Sequence, residues 1–171
     1  FVIGQPYQQV FVPLLALDVL KIGRSGAGGL LACVGVGALI GSLAIASLQK
    51  LPRRGLILMA AIVAYGLALL LLAYSRAVWM SAAALIVAGI LTTAYNALNV
   101  SLLVEKSAAD YHGRVLSLLS LDRGLVSVGA VIAGVLAQTF GPRLGLGIVA
   151  LACIAMTLLI YYLAPPLRKI K

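Results

Sequence analysis

Residues 111–141 read Tyr-His-Gly-Arg-Val-Leu-Ser-Leu-Leu-Ser-Leu-Asp-Arg-Gly-Leu-Val-Ser-Val-Gly-Ala-Val-Ile-Ala-Gly-Val-Leu-Ala-Gln-Thr-Phe-Gly, and this stretch decides the fold. From Val115 to Phe140 it is predominantly apolar, longer than the ~20 residues a helix needs to cross a hydrocarbon core about 30 Å thick. Inside it stand an acid and a base, Asp122 and Arg123. Ionisable groups at membrane depth are costly and mark functional positions. Adjacent in sequence, the two point roughly 100° apart on a helix and are poorly placed to pair with each other. Ser120, Arg123, Ser127, Ala130 and Gly134 fall on or near one side, whereas Asp122 shares its side with Leu118, Val126 and Gly129. From Arg114 to Asp122 the helix rises about 12 Å, which sets the pair between an interface and the midplane. Arg123 is long enough to snorkel. Asp122 is not, so it needs a cation from another helix, making a structural pair or gate, or else it favours the protonated form and becomes a proton carrier.

The whole chain shares this character. Of its 171 residues, 63% are hydrophobic and 10% charged, with a mean hydropathy of +1.15. A soluble domain of this size could not bury so much apolar surface. The net charge of +9 would suggest nucleic acid in a soluble protein, but the basic residues stand between apolar runs and form no single patch. Cys33 and Cys153 lie inside apolar runs without metal-ligand spacing and read as buried small residues. The chain begins at Phe1 with a short apolar run and no charged head, as expected of a chain that has lost its beginning.

Six spans fit: about 1–17, 27–48, 56–74, 78–104, 115–140 and 144–163, followed by a basic tail, 164–171. The connections carry breakers and caps: Gly23, Ser25 and Gly26; Pro52 and Gly55; Ser75; Ser107 to Gly113; Gly141-Pro142. Lys and Arg alternate between poorer and richer connections. Lys50, Arg53 and Arg54, then Lys106 and Arg114, then Arg168, Lys169 and Lys171 form the richer sets; Lys21 and Arg24, Arg76, and Arg143 form the poorer. The richer sets are cytoplasmic by the positive-inside rule, which leaves both termini cytoplasmic. Trp79 and Tyr161-Tyr162 sit where aromatic belts are expected, and the Lys50, Arg53 and Arg54 loop suits an anionic leaflet.

Polar residues within the spans mark a cavity or helix–helix hydrogen bonds. Gln5, Gln8 and Gln9 interrupt the first span together with Pro6 and Pro13. Gln5 and Gln9, one α-turn apart, are expected on one face, and Gln5, Tyr7 and Gln9 are candidate cavity contacts in a kinked helix. Thr92, Asn96 and Asn99 recur at helical spacing with Tyr95 beside them, a stripe that must face protein or water. In the second span Gly28, Gly29, Gly35, Gly37 and Gly41 suit close backbone packing.

Enzyme readings fail. Gly23-Arg24-Ser25-Gly26 matches the Gly-x-Ser-Gly of rhomboid-type intramembrane proteases, but the only histidine, His112, falls on the opposite membrane side from Ser25. Ser25 reads instead as the N-cap of the second helix. There is no zinc-ligand cluster, phosphate loop or acidic metal site, so no catalytic residue, cofactor or metal is expected.

Six spans with both ends inside resemble one half of a major facilitator superfamily transporter, an all-α membrane fold. Val12-Pro13-Leu14-Leu15-Ala16-Leu17-Asp18-Val19-Leu20 is similar to the Leu-Pro-Val-Phe-Ala-Arg-Asp-Val-Leu that ends the seventh helix in the drug, macrolide and siderophore exporter branch. Gly113-Arg114-Val115-Leu116-Ser117-Leu118 resembles its Gly-Arg-Val-Met-Ser-Leu opening the eleventh helix. Val128-Gly129-Ala130, Ala133 to Ala137 and Phe140-Gly141 continue that match. The cytoplasmic signature Gly-x-x-x-Asp-Arg-x-Gly-Arg-Arg is reduced to Gln49 through Gly55 without its acid. The resemblance implies helices seven to twelve of an exporter of amphipathic small molecules by alternating access, coupled to protons, in a bacterial inner membrane. Its partners would be the lipid bilayer, an N-terminal six-helix half or a second copy, the small-molecule substrate and protons, with no nucleic acid. Asp122, Arg123 and Arg114 then become gate or charge-pair candidates. A non-transporting six-helix scaffold, or a half-transporter acting as a homodimer, is the alternative.

Overall fold

The computed structural model describes residues 4–47, 54–106 and 112–163, without the side chains of residues 54–56, 102–106, 112–123 and 161. Every regular element among the described residues is helical. A broken first segment, comprising a 3₁₀ turn Gln5–Gln8, α1 (Phe11–Leu14) and a π turn Leu15–Val19, precedes α2 (Gly23–Ser47), α3 (Arg54–Tyr74), α4 (Val78–Lys106) and α5 (His112–Leu163). Among the described residues, four stretches are long and apolar enough to cross a membrane: Gly23–Ser47, Ile57–Tyr74, Val78–Ser101 and Gly124–Ile160.

The first segment is broken where its prolines remove backbone donors. The Pro6 carbonyl accepts from both Gln9 N and Val10 N at 3.1 Å. Beyond Pro13 the backbone widens into a π turn that closes with Leu20 N donating to the Leu15 carbonyl at 2.8 Å. Lys21 then takes a left-handed turn, φ 52°, and α2 starts at Gly23. Ser25 is therefore inside the first turn of α2 and not its N-cap, because the preceding left-handed turn starts the helix two residues earlier than sequence suggests.

Among apolar spans, lipid competes for every greasy contact, so close backbone approach and dispersion decide which helices pair. The α2–α4 contact is of this kind. A Cβ on Gly41 would stand 2.8 Å from the Ile90 carbonyl oxygen, one on Gly37 would strike the Ile86 carbonyl, and one on Gly89 the Val34 carbonyl. Gly28, Gly29 and Gly35 instead face open space, so the glycines of α2 serve two different faces. α4 also packs on α3, and α3 packs in turn on α5, where Gly66 admits Ile154 and the Ala150 carbonyl.

At its 52 residues, α5 would be about 78 Å long if straight. It is not straight: Gly141 adopts φ 82°, ψ 160°, a region open essentially to glycine alone. Beyond it, a Cβ on Gly145 would stand 3.1 Å from Ala137 N and Leu136 O, atoms about 12 Å or more away along a straight helix. The chain doubles back at Gly141-Pro142, giving two arms, 112–140 and 142–163, that lie against each other. Ala133 and Ala137 on the first and Leu146, Val149, Ala150 and Cys153 on the second join one core with Tyr7, Phe11, Tyr65, Leu69, Leu72 and Leu85.

The end of the bundle at this turn is tied down. Arg143 Nη2 donates to the Ser75 carbonyl at 3.1 Å, while the Ser75 and Ser81 hydroxyls lie 2.6 Å apart and Ser75 Oγ donates to the Leu72 carbonyl at 2.8 Å. The arginine caps the C-terminal end of α3, where carbonyls lack helical partners. A hydrogen bond from a charged donor contributes about 1.5–3 kcal/mol, so Arg143→Met is expected to lower the melting temperature by about 5 °C. A thermal unfolding curve read by intrinsic fluorescence checks this.

Candidate functional site

Three polar side chains from three elements meet inside the bundle. Tyr7 comes from the 3₁₀ turn, Tyr65 from α3 and Thr92 from α4; both tyrosines are 1% exposed and Thr92 is 8%. The rings meet edge to face at 5.8 Å and 73°, a favoured aromatic geometry. Gln8 Nε2 donates to the Tyr7 hydroxyl at 3.1 Å, and the Tyr65 hydroxyl donates to the Gly4 carbonyl at 2.9 Å. Thr92 Oγ1 donates to the Ala88 carbonyl at 2.8 Å and lies near both tyrosine hydroxyls. Tyr65 lies about 14–17 Å of helix rise from either end of α3, so the cluster is midway along that helix.

The helix break brings these groups together. In a continuous α-helix the Gly4 carbonyl would accept from Gln8 N–H; here it receives Tyr7 N at 3.3 Å, a long bond, and has capacity for a second donor. Tyr65 supplies it. A buried carbonyl left without a good partner costs about 1–3 kcal/mol, so the hydroxyl offsets part of the cost of the break. Among the described residues no cation or carboxylate joins the cluster, and the contacts seen there are hydrogen bonds between neutral groups. Among the described residues, no group of His, Cys, Asp and Glu could hold a metal ion either.

The residues picked out by sequence distribute unevenly around this cluster. Tyr7 and Thr92 belong to it. Gln5 is half-buried and Gln9 exposed, and the two do not share a face as an α-helix would require: a 3₁₀ turn has three residues per turn, which aligns Gln5 with Gln8 instead. On α4 the buried line Ser81, Leu85, Ala88 and Thr92 continues into Tyr95 and Asn99, both half-buried, with Asn96 exposed beside them. Cys153 is buried and Cys33 half-buried, both as free thiols. Arg114, Asp122 and Arg123 lie on the first arm of α5 and Arg54 opens α3, but their side chains fall outside the description, as do Lys50, Arg53 and the 164–171 tail altogether.

Gln8 and Tyr65 escaped the sequence reading as site residues. Tyr65 did leave a signal: between Arg54 and Tyr74 it is the one side chain of α3 able to donate a hydrogen bond in an otherwise apolar run. A hydroxyl isolated in that way needs a partner from another helix.

Apolar spans packed through small residues, enclosing a neutral polar cluster at mid-depth, define an integral multi-pass membrane protein. The family model of the Major Facilitator Superfamily matches residues 7–171, and the chain belongs to that family, whose members are transporters and not enzymes. No curated protein and no solved structure matches the chain.

Proposed function

We propose that this chain is the C-terminal, six-span half of an exporter of the drug, macrolide and siderophore branch. In this reading it moves an amphipathic small molecule across a bacterial cytoplasmic membrane by alternating access and proton antiport. The first segment and α2 to α4 are spans one to four, the arms of α5 are spans five and six, and both termini are cytoplasmic. An N-terminal six-helix half completes the cavity. It would meet the open glycines Gly28 and Gly29 of α2 and the exposed line Gly124, Val128, Val131 and Val135 on α5.

The observation that carries this reading is the exposure of Gln9 and Asn96 within four positions of Tyr7 and Thr92, in a chain whose other exposed span residues are mostly apolar and whose third exposed span amide, Gln138, lies close to the turn at Gly141. Lipid satisfies no amide. Two exposed amides beside a buried polar cluster therefore suit a wet cavity, with Gln5, Tyr7, Gln9, Thr92, Tyr95, Asn96 and Asn99 along its wall and substrate contacts made by amides and aromatic rings. Arg114, Asp122 and Arg123 serve as gate or contact between halves, and Lys50, Arg53 and Arg54 rest on the anionic leaflet.

Efflux from cells expressing the full-length protein tests this. Asn96→Leu, which removes hydrogen bonding at similar volume, is expected to reduce export of a recognised substrate about tenfold, the effect of one lost polar contact, with normal expression. Full export by Asn96→Leu and Gln9→Leu together would refute the cavity assignment. Asp122→Asn keeping full proton-driven export would remove Asp122 from the coupling path while leaving the cavity untouched.

A further inference from the structure

The surface where α3 meets α4 is not flat. An apolar groove of about 350 Å³ runs between the two helices, walled by Ala64, Leu67 and Leu71 on α3 and by Trp79, Ala83 and Val87 on α4. Leu67, Leu71, Trp79 and Val87 are all exposed, so the groove is open along its length. Ala64 to Leu71 and Trp79 to Val87 each span about 10–12 Å of helix rise. That is less than half of a hydrocarbon core about 30 Å thick, the depth of one leaflet.

One end of the groove carries positive charge. The chain passes from α3 to α4 beside Leu71 and Trp79, and Arg76 stands exposed in that link. Arg143 adds a second cation at the same end, held on the carbonyl of Ser75, the residue next to Arg76. No Asp or Glu occurs from Arg54 to Ser101 or from Gly124 to Leu163, so the stretches of α3 and α4 that flank the groove leave this charge unneutralised. Trp79 is the kind of side chain that settles at headgroup level. An apolar channel one leaflet deep, with an indole and a free guanidinium at its mouth, matches the two ends of a phospholipid.

We propose that the α3–α4 groove binds an anionic phospholipid, with one acyl chain between Leu67, Leu71 and Val87 and the phosphate headgroup at Arg76. Any exposed apolar wall is wetted by lipid; concavity and charge make this one a site. Walls on two helices surround a chain with more dispersion contacts than a flat face gives, and a basic residue at the surface sorts headgroups by charge. The bound lipid would brace the short link at the end of the bundle where Arg143 caps α3. The site depends on membrane insertion alone and not on the exporter reading.

Trp79 is the only tryptophan of the 171 residues, and it lines the groove, so its fluorescence reports the occupant directly. The full chain is reconstituted in phosphatidylcholine vesicles doped with phosphatidylglycerol or phosphatidylcholine brominated on the first half of the acyl chain. Brominated phosphatidylglycerol is expected to quench Trp79 at about a fivefold lower mole fraction than brominated phosphatidylcholine, the preference one basic residue near the surface gives. Arg76→Gln should bring the two lipids to parity, and Arg76→Lys should keep the preference. Ala83→Phe, at an exposed position, fills the groove without touching the charge and should also abolish the preference. Equal quenching by both lipids in the parent protein overturns the proposal, as does a preference that survives either Arg76→Gln or Ala83→Phe. Equal quenching that rises as the protein is diluted in the membrane would put a second copy of the chain in the groove instead, and likewise refute it.

Discussion

Gly37→Leu is expected to lower the melting temperature by about 10 °C and to cut the yield of folded protein sharply, whereas Gly35→Leu, two residues away, leaves both nearly unchanged. At Gly37 the added Cβ meets the Ile86 carbonyl, part of the backbone of α4, and backbone cannot rotate aside as a side chain can. The two helices must separate, and with them the reciprocal approach of Gly89 to Val34 and the contact of Gly41 with Ile90. Overpacking of a tight core costs about 1–3 kcal/mol; because all three close backbone approaches open together the upper end applies, and each kcal/mol shifts a chain of this size by about 2–4 °C. Gly35 has nothing within 4 Å of its Cβ position, so bulk there meets no part of this chain. Thermal unfolding followed by size-exclusion fluorescence separates the cases. Equal losses at both positions would mean that the α2–α4 interface is not the one described.

Gly141→Val should have a comparable effect for a different reason. At φ 82°, ψ 160° a β-branched side chain collides with its own backbone, and the strain of such a position is of order 1–3 kcal/mol even for residues that tolerate it. The reversal could relax only by opening the angle between the arms of α5. That would pull Gly145 off Leu136 and Ala137 and lift Arg143 from the Ser75 carbonyl. The melting temperature is expected to fall by about 5–10 °C. Gly134→Ala, on the first arm with open space around it, serves as the matched control and should be neutral or slightly stabilising, since alanine favours helix. A Gly141→Val protein as stable as its parent would show that the turn is not under this constraint.

The legible part of the fold was the part dictated by apolar length. Runs such as 57–74 and 78–101 exceed what a soluble helix carries, and charge and proline fall between them, so helix-rich membrane architecture follows from hydropathy alone. Pairing was less legible. Gly28, Gly29, Gly35, Gly37 and Gly41 look alike in sequence, yet Gly37 and Gly41 touch α4 while the other three face outward, because a helix face is chosen by what packs there and not by residue type. The candidate site was half legible. Tyr7 and Thr92 stood out as polar groups in apolar runs, but Gln5 and Gln9 were read on an α-helical period that Pro6 had already abolished, and Tyr65 was lost among leucines whose packing it shares. A hydrogen bond spanning 61 positions in sequence, such as Tyr65 to Gly4, leaves no periodic trace.

Because Arg143 reaches Ser75, the short link between α3 and α4, residues 75–77, and the reversal at Gly141 lie at one end of the bundle. The links between α2 and α3, residues 48–53, and between α4 and α5, residues 107–111, join the opposite ends of those helices. Trypsin needs an extended stretch of chain around a basic residue. Arg76 and Arg143 are held in tight turns, whereas Lys50, Arg53 and Lys106 lie in or beside the longer links. Fragment size should therefore report orientation: trypsin on the side of Arg76 and Arg143 meets only Lys21 and Arg24 outside those turns and leaves the chain from α2 onward whole, whereas trypsin on the side of Lys50, Arg53 and Lys106 divides that part, which makes the fold its own reporter of which way it crosses the membrane.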